Sequence, residues 1–289
     1  MERVLAATDG SEHGASAVVT GSALAGRAGA ALDVLSVVDA LILPKAYIPP
    51  GVKPAGYEET FVKEARRRAG AQAEAAGAGH APIHVRGGAA APVISSTAKE
   101  QGADLIVVGA HPRRALTRFL VGSTAERVIR LAHRPVLVAV EARRQPFRRI
   151  LAALDLSTQS EVVLETAAAI ALADGAEVRA LYVQEPLPPM LMEAAAFDQE
   201  EYRRQGRGQM ERLLEEVALP AGVTAEGRVR EGRAGHEILE EAQDWDADLV
   251  VLGTHGFGFF ERLLLGSTST HFLRHGQRAT IIVPPAEEP

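Results

Sequence analysis

The chain has 289 residues but no cysteine, and few aromatic side chains. Without cysteine there are no disulfide bonds, thiolate metal ligands or cysteine nucleophiles, and the composition fits a reducing compartment. Aromatic residues make up 4% of the chain, charged residues 24% and hydrophobic residues 47%, as in soluble globular proteins. We therefore expect a soluble protein of the cytoplasm.

Long apolar runs and an excess of basic residues are also missing. No stretch approaches the ~18 consecutive apolar residues of a membrane-spanning helix. The first ten residues, MERVLAATDG, lack the apolar core of a signal peptide. The formal net charge of -6 argues against a general affinity for nucleic acid. We expect no membrane span and no nucleic-acid partner.

One glycine-spaced segment occurs twice. The second copy, Val250–Ser269, reads VVLGTHGFGFFERLLLGSTS, and the first, Val107–Glu126, reads VVGAHPRRALTRFLVGSTAE. Both copies keep the same frame, 144 positions apart. So long a period indicates a duplicated domain rather than a solenoid, whose units are several times shorter. We predict two domains, at residues 1–141 and 147–289.

Each copy alternates short apolar runs with longer amphipathic runs. Runs such as LIVVG and LVVLG are apolar on both faces and suit a parallel sheet covered by helices. The pattern predicts two doubly wound α/β domains with ligand sites at the carboxyl ends of the strands. The predicted strands are Val4–Thr8, Ala31–Val38, Ile83–Arg86, Leu105–Val108, Val136–Val140, Ile150–Leu154, Glu177–Val183, Thr224–Arg230, Leu249–Leu252 and Thr280–Val283. The predicted helices are Ser11–Arg27, Tyr57–Ala76, Ala91–Gln101, Ser123–Leu131, Thr158–Ala173, Phe197–Val217, Gly235–Gln243 and Ser267–Arg274.

The charged, proline-containing segment Glu141–Arg149 is predicted to be a linker. Each copy ends in a strand that no helix follows, RPVLVAV in the first and RATIIVPP in the second. Such a strand leaves an open sheet edge unless another strand pairs with it. We expect the last strands of the two domains to pair and form an intramolecular pseudo-dimer. Whether the chain also forms a homodimer stays open.

The second glycine segment has the backbone features of a phosphate site. Gly256 permits a tight turn close to a ligand, and we expect Gly266 to do the same just before a helix. Ser267 and Thr268 offer hydroxyl groups beside the unpaired N–H groups of the helix start, where an anion is favoured. The alternative is that Gly-Ser-Thr only caps the helix.

The first glycine segment departs from the second at one position. Pro112 stands where the second copy has Gly256. Proline fixes φ at about −65° and has no N–H group to offer a phosphate. Arg113 and Arg114 follow, and they either replace the lost donors or form a solvated basic loop. Nucleotide binding is therefore better supported in the second copy.

A carboxylate follows the first strand of each copy. Asp9 stands in AATDGSEHG, and Asp155 stands in AALDLSTQS. In a doubly wound sheet the first and fourth strands are neighbours, so Asp9 should lie beside Gly109 and Asp155 beside Gly253. Such a carboxylate can accept hydrogen bonds from a base or a ribose. The alternative is that it caps the following helix.

Four features together resemble the universal stress protein family over essentially the whole chain. They are the starts TDGS and LDLS, the strand ends VVGA and VLGT, the frame G-x2-G-x9-G-S, and the closing strands PVLVAV and TIIVPP. The resemblance implies that each half has a five-stranded parallel sheet in the order 3-2-1-4-5, and that the halves are related by a pseudo-two-fold axis. It also implies that the protein binds ATP or ADP, with Mg²⁺ accompanying the triphosphate.

The resemblance also implies binding residues. In this family the glycine frame contacts ribose and phosphates, the first-strand aspartate contacts adenine, and a second-strand valine lines the adenine pocket. The implied second-copy residues are Asp155, Val183, Leu252, Gly253, Gly256, Gly266, Ser267 and Thr268. The implied first-copy residues are Asp9, Val37, Val108, Gly109, Gly122, Ser123 and Thr124.

No convincing catalytic group accompanies these residues. The sequence shows no P-loop, nucleophile elbow or paired catalytic carboxylates, which favours a regulatory nucleotide-binding module of the stress response over an enzyme. His111 and His255 recur at one place in the frame, and a role near the phosphates stays open. Two alternatives remain: a slow ATP hydrolase, and a nucleotide-independent module. The latter would bind a regulatory protein or an apolar ligand through the proline-rich loops Asp39–Tyr57 and Gln184–Phe197.

Overall fold

The computed structural model describes residues 1–39, 54–110, 122–186, 198–254 and 265–285. The chain divides into two compact units, Met1–Pro146 and Phe147–Pro289. Within the described ranges, no helix combines the length and the apolar character that a membrane crossing requires.

The first unit alternates strands and helices along the chain. Its strands are β1 (Arg3–Thr8), β2 (Ala31–Val38), β3 (Ile83–Gly87), β4 (Leu105–Gly109) and β5 (Val136–Ala139). Its described helices are α1 (Glu12–Ala28), α2 (Pro54–Ala75), α3 (Ala90–Gln101) and α4 (Ser123–Leu131).

The second unit repeats this order. Its strands are β6 (Arg149–Leu154), β7 (Glu177–Gln184), β8 (Ala225–Glu231), β9 (Leu249–Gly253) and β10 (Ala279–Val283). Its described helices are α5 (Gln159–Asp174), α6 (Gln199–Glu216), α7 (Ala234–Asp244) and α8 (Ser267–His275).

Each unit contains a five-stranded parallel sheet with the same strand order. The order is β3-β2-β1-β4-β5 in the first unit and β8-β7-β6-β9-β10 in the second. The predicted doubly wound α/β fold is confirmed. The order reverses between the first and fourth strands of each unit, where such sheets bind ligands at the carboxyl ends. The pairing of the two last strands stays a prediction.

Apolar runs and helix-terminal residues explain where the elements lie. The first four residues of both β4 and β9 are buried, as expected for central parallel strands covered on both faces. Ser11 caps α1 by accepting a hydrogen bond from the N–H of Gly14. The helix ends at Gly29, whose φ of 65° is left-handed. Local sequence signals therefore set the boundaries of these elements.

The chain that follows β5 is fastened to the first unit. The carbonyl of Glu141 accepts from the hydroxyl of Thr20 at 3.3 Å, and the same hydroxyl accepts from the N–H of Arg143 at 3.1 Å. The guanidinium of Arg144 donates to the carbonyl of Ala75. Arg149, which the sequence placed in the linker, is instead the first residue of β6.

Candidate functional site

A cavity of about 640 Å³ lies at the carboxyl ends of β6, β7 and β9 in the second unit. Its volume falls in the range of about 300–1,000 Å³ that is usual for small-molecule sites. It is lined by all but one of the residues implied for the second copy. They are Asp155, Val183, Leu252, Gly253, Gly266, Ser267 and Thr268. The other, Gly256, lies outside the described residues, as does His255.

Six polar residues of the cavity were not among the predicted site residues: Gln159, Ser160, Tyr182, Glu185, Tyr202 and Ser269. Tyr182, Glu185 and Tyr202 come from the end of β7 and from α6. For Tyr182, the signal in the sequence was its position directly before Val183, which the family resemblance had placed in the site. Burial raises the pKa of the Tyr182 phenol, and Tyr202, Asp155 and Glu185 raise it further. Tyr182 therefore keeps its proton near neutral pH and can act as a hydrogen-bond donor.

Asp155 lines the cavity with one carboxylate oxygen bound and the other free. Oδ1 accepts hydrogen bonds from the N–H of Ser157 at 3.0 Å, its hydroxyl at 2.6 Å and the hydroxyl of Ser160 at 2.9 Å. Oδ2 is buried and has no hydrogen-bond partner among the described residues. A buried, unpaired carboxylate oxygen is costly, so a ligand that donates to it would be stabilised.

The first turn of α8 presents backbone N–H groups that no side chain caps. Its N-cap is Gly266, which has no side chain, and Ser267 is already the first helical residue. The first turn of α6 differs, because the Asp198 side chain accepts from two of its N–H groups. Simple capping by Ser267 is therefore not what the structure shows. An anion at this helix start would meet free donors and the positive end of the helix dipole.

Gly266 does not adopt the conformation expected of it. Its φ is −57°, which any residue can adopt, so positive φ does not explain a glycine here. The N–H of Gly266 donates to the carbonyl of Thr254 at 2.7 Å. The hydroxyl of Ser269 donates to the carbonyl of Gly253 at 2.6 Å. These two bonds hold the start of α8 beside the end of β9.

A second helix start lines the same cavity but already has a carboxylate partner. The N–H of Ala234, the first residue of α7, donates to Oε1 of Glu185 at 3.0 Å. The start of α5 lines the cavity too, and there the N–H of Gln159 donates to Oγ of Ser157 at 3.3 Å. Of these three helix starts, only that of α8 lacks a side-chain acceptor among the described residues. The cavity is thus electrostatically uneven: it is acidic near Asp155 and Glu185, and it favours anions near Ser267.

The first unit places its implied residues in the corresponding elements. Asp9 is exposed, and its Oδ1 accepts from the N–H of Ser11 at 2.9 Å and from the Ser11 hydroxyl. Gly122 is the N-cap of α4 with φ of −57°, and no side chain caps that helix. The other implied residues are the part-buried Val37 and Gly109, the buried Val108, and the exposed Ser123 and Thr124. Pro112 lies outside the described residues, with His111, Arg113 and Arg114.

Helix α2 is bonded to the end of β1 in the first unit. The hydroxyl of Thr8 donates to Oε1 of Gln72 at 2.6 Å, and Nε2 of Gln72 donates to the carbonyl of Ser11 at 2.8 Å. The loop that carries Asp9 is therefore held by a side chain from α2. In the second unit Tyr202 of α6 bonds instead to the end of β7, through its hydroxyl and the carbonyl of Glu185 at 3.1 Å.

A model of the universal stress protein family matches residues 1–139 and again residues 146–284. The chain belongs to the universal stress protein family. Because the match occurs twice and covers nearly the whole chain, it is a tandem universal stress protein. The family resemblance predicted from the sequence is confirmed.

Individual relatives agree with this assignment. A universal stress protein of Synechocystis is 32% identical over 151 residues, covering 47% of this chain and 97% of the relative. One of Mycolicibacterium smegmatis is 32% identical over 195 residues, covering 64% of this chain and 63% of the relative. A crystal structure of a universal stress protein from Archaeoglobus fulgidus covers 98% of both chains. It has a TM-score of 0.69 and 19% identity, so it supports the fold alone.

Proposed function

We propose that this tandem universal stress protein binds ATP in the second-unit cavity. In the cytoplasm it would serve as a nucleotide-dependent regulatory module of the stress response. The observation that supports this most directly is the pairing of two features in one cavity. The free Oδ2 of Asp155 needs a donor, and the uncapped start of α8 favours an anion. ATP carries a donor on its base and anionic oxygens on its phosphates.

The chain's residues fit the parts of the nucleotide. Asp155 accepts from the exocyclic amine of adenine, while Val183 and Leu252 line the apolar wall. The backbone N–H groups and hydroxyls of Ser267 and Thr268 hold the phosphates. Mg²⁺ binds chiefly through phosphate oxygens and water, so it needs few protein ligands. When bound, Mg²⁺ offsets phosphate charge. ADP has the same base and ribose and is expected to bind in the same place.

Binding and regulation are favoured over catalysis by the lining of the cavity. Its described carboxylates are Asp155 and Glu185, and its described lining contains no histidine or lysine. The Oδ1 of Asp155 is held by serines, and Glu185 accepts from Ala234. In the proposed pose Asp155 contacts the base rather than the phosphates, and Glu185 bonds to the start of α7, so we assign neither carboxylate the role of general base. We propose a binding module whose partner is a regulatory protein.

The nucleotide content of the freshly purified protein tests the proposal. Heat release followed by chromatography should yield ATP or ADP, and added MgATP should raise the melting temperature of nucleotide-free protein. If neither nucleotide is found and ATP leaves the melting temperature unchanged, the proposal fails. Binding of another protein in the absence of nucleotide would then favour an interaction module.

Paired substitutions locate the site. Asp155→Ala should lower ATP affinity about tenfold or more, because a charge-assisted hydrogen bond is lost. Asp9→Ala is the matched control and should leave the second-unit site intact. Gly256→Trp tests the residue predicted from sequence alone and should abolish most binding. If Asp9→Ala weakens binding and Asp155→Ala does not, the site lies in the first unit.

A further inference from the structure

Two serines hold the carboxylate of Asp155 in one orientation. Ser157 follows β6 and Ser160 lies in the first turn of α5, and both donate to the same oxygen, Oδ1. Ser160 is 1% exposed, so water does not compete for its hydroxyl. The backbone N–H of Ser157 donates to Oδ1 as well. This oxygen is therefore surrounded by donors.

The direction of each serine hydroxyl is set by a backbone group. The N–H of Gln159 donates to Oγ of Ser157 at 3.3 Å, and the N–H of Asp155 donates to Oγ of Ser160 at 3.2 Å. Each hydroxyl oxygen already accepts, so its proton is available for Oδ1. The position of Oδ1 consequently favours an acceptor and disfavours any group that carries hydrogen. The other oxygen, Oδ2, is buried without a hydrogen-bond partner among the described residues, and Asp155 lines the cavity.

We propose that Ser157 and Ser160 are positioning residues that make the cavity distinguish bases by hydrogen-bond polarity. This rests on the ATP binding proposed above. With the serines in place, residue 155 presents a pure acceptor at the Oδ2 position. Adenine offers an amine at its 6-position, whereas hypoxanthine has a carbonyl oxygen there. In the same pose, that oxygen would face the carboxylate without a proton between them, and the nucleotide would be rejected.

The first unit lacks the counterpart of the hydrogen bond from Ser160 to Asp155. The residue in the place of Ser160 is Gly14, which has no hydroxyl. A β-carbon at Gly14 would collide with the hydroxyl oxygen of Thr8 and with Oδ1 of Asp9, at 2.7 Å from the latter. Asp9 itself is exposed. The selection therefore belongs to the second unit.

Asp155→Asn provides the sharpest test, because the serines dictate how an amide must lie. The amide oxygen has to take the Oδ1 position among the donors, so the NH₂ group takes the Oδ2 position and faces the base. Wild-type protein should bind ATP about tenfold or more tightly than inosine triphosphate. Asp155→Asn should reverse the preference and bind inosine triphosphate more tightly. Calorimetric titration with each nucleotide measures both.

Removing Ser160 tests whether this serine acts by orienting residue 155 rather than by contacting the nucleotide itself. Ser160→Ala alone should weaken ATP binding several-fold but keep the preference for ATP, because a carboxylate is an acceptor in either orientation. In Asp155→Asn/Ser160→Ala the amide is released, so the reversed preference should shrink toward equal affinities. Thr166→Ala is the matched control. It removes another hydroxyl of α5, which donates at 2.7 Å to the carbonyl of Val162, and should change neither affinity.

The outcomes distinguish this proposal from the one on which it rests. If the wild type binds neither nucleotide, the proposed function fails and this inference falls with it. If it binds ATP but Asp155→Asn still prefers ATP, the function stands and the positioning role is wrong. Should Asp155→Asn fail to fold, Ser160→Ala still decides, because unchanged ATP affinity in that variant overturns the role of the serine.

Discussion

The carbonyl group of His13 lies directly against Gly109, in the space that a β-carbon of residue 109 would fill. His13 belongs to the first turn of α1, and Gly109 is the last residue of β4. A β-carbon at residue 109 would meet backbone atoms of His13, so a change of side-chain rotamer could not relieve the clash. In the first unit this glycine therefore has a packing role, whatever it contributes to ligand binding.

Gly109→Ala should destabilise the first unit, because the helix start must move away from the strand. We expect a loss of about 2 kcal/mol or more in the free energy of unfolding. At the corresponding Gly253 the nearest atom to a new β-carbon is Cδ of Gln159, at 2.9 Å, in a flexible side chain. Gly253→Ala should cost less. Urea denaturation followed by circular dichroism compares them, and equal costs would contradict this explanation.

A carboxylate introduced at the start of α8 should affect stability and binding in opposite directions. Ser267→Glu places a negative charge at the first helical residue, which should stabilise the helix by about 0.3–1 kcal/mol. The same charge should repel phosphates and lower ATP affinity about tenfold or more. Ser267→Gln has a similar shape without the charge. Thermal melts and ATP titrations of both variants test this, and unchanged affinity for Ser267→Glu would place the phosphates elsewhere.

Burial should decide which acidic partners of Arg179 matter for stability. Glu241 is 3% exposed and accepts from Arg179 at 2.8 Å and from Arg230 at 2.9 Å. Glu241→Ala leaves these guanidinium groups without their buried partner and should cost about 3 kcal/mol. Glu226 also bonds to Arg179, but its side chain is 61% exposed. Glu226→Ala should cost at most about 1 kcal/mol. Chemical denaturation that gives equal losses would refute the distinction.

His271 should make the second unit less stable in acid. Burial lowers the pKa of His271 below its ordinary value of 6.5, and the nearby His275, His236 and Arg233 lower it further. The folded state then binds a proton less readily than the unfolded state. The resulting penalty is absent well above pH 6.5 and grows as the pH falls through that value.

Replacement of this histidine tests the direction of the effect. His271→Gln cannot titrate, so the melting temperature of the wild type should fall relative to this variant between pH 8 and about pH 5. Melting curves recorded in one buffer series at constant ionic strength provide the comparison. A wild type that gains stability relative to the variant in acid would reverse the assigned sign.

The elements of this fold are predictable from the sequence because their signals are local. The run LVVLG predicts β9 to within one residue, and Gly29 ends α1 as a left-handed C-cap. The family resemblance also placed Asp155 and Ser267 in a shared cavity. Such features depend on apolar runs, turn residues and duplicated motifs, all of which can be recognised in the amino-acid sequence.

The missed features depend on the three-dimensional geometry of the folded chain. Tyr202 reaches the cavity only because α6 returns beside β7. Ser160 matters because the first turn of α5 lies against the end of β6 and brings its hydroxyl to Asp155. The φ of Gly266 contradicted an expectation based on residue type alone. A single sequence specifies these relationships only through the folded geometry.

The arginine residues near the boundary between the two units form hydrogen bonds, which should slow cleavage by trypsin. The side chain of Arg144 donates a hydrogen bond to α2, and the backbone N–H of Arg143 donates one to α1. The backbone N–H groups of Arg148 and Arg149 both donate to the carboxylate of Asp248. Arg144, Arg148 and Arg149 are exposed, but a protease also needs an extended stretch of chain, which these hydrogen bonds prevent until the segment opens locally. Brief digestion of the native protein should therefore leave this junction intact. Separate halves would have to be obtained by gene truncation after Pro146 rather than by cleavage of the folded chain.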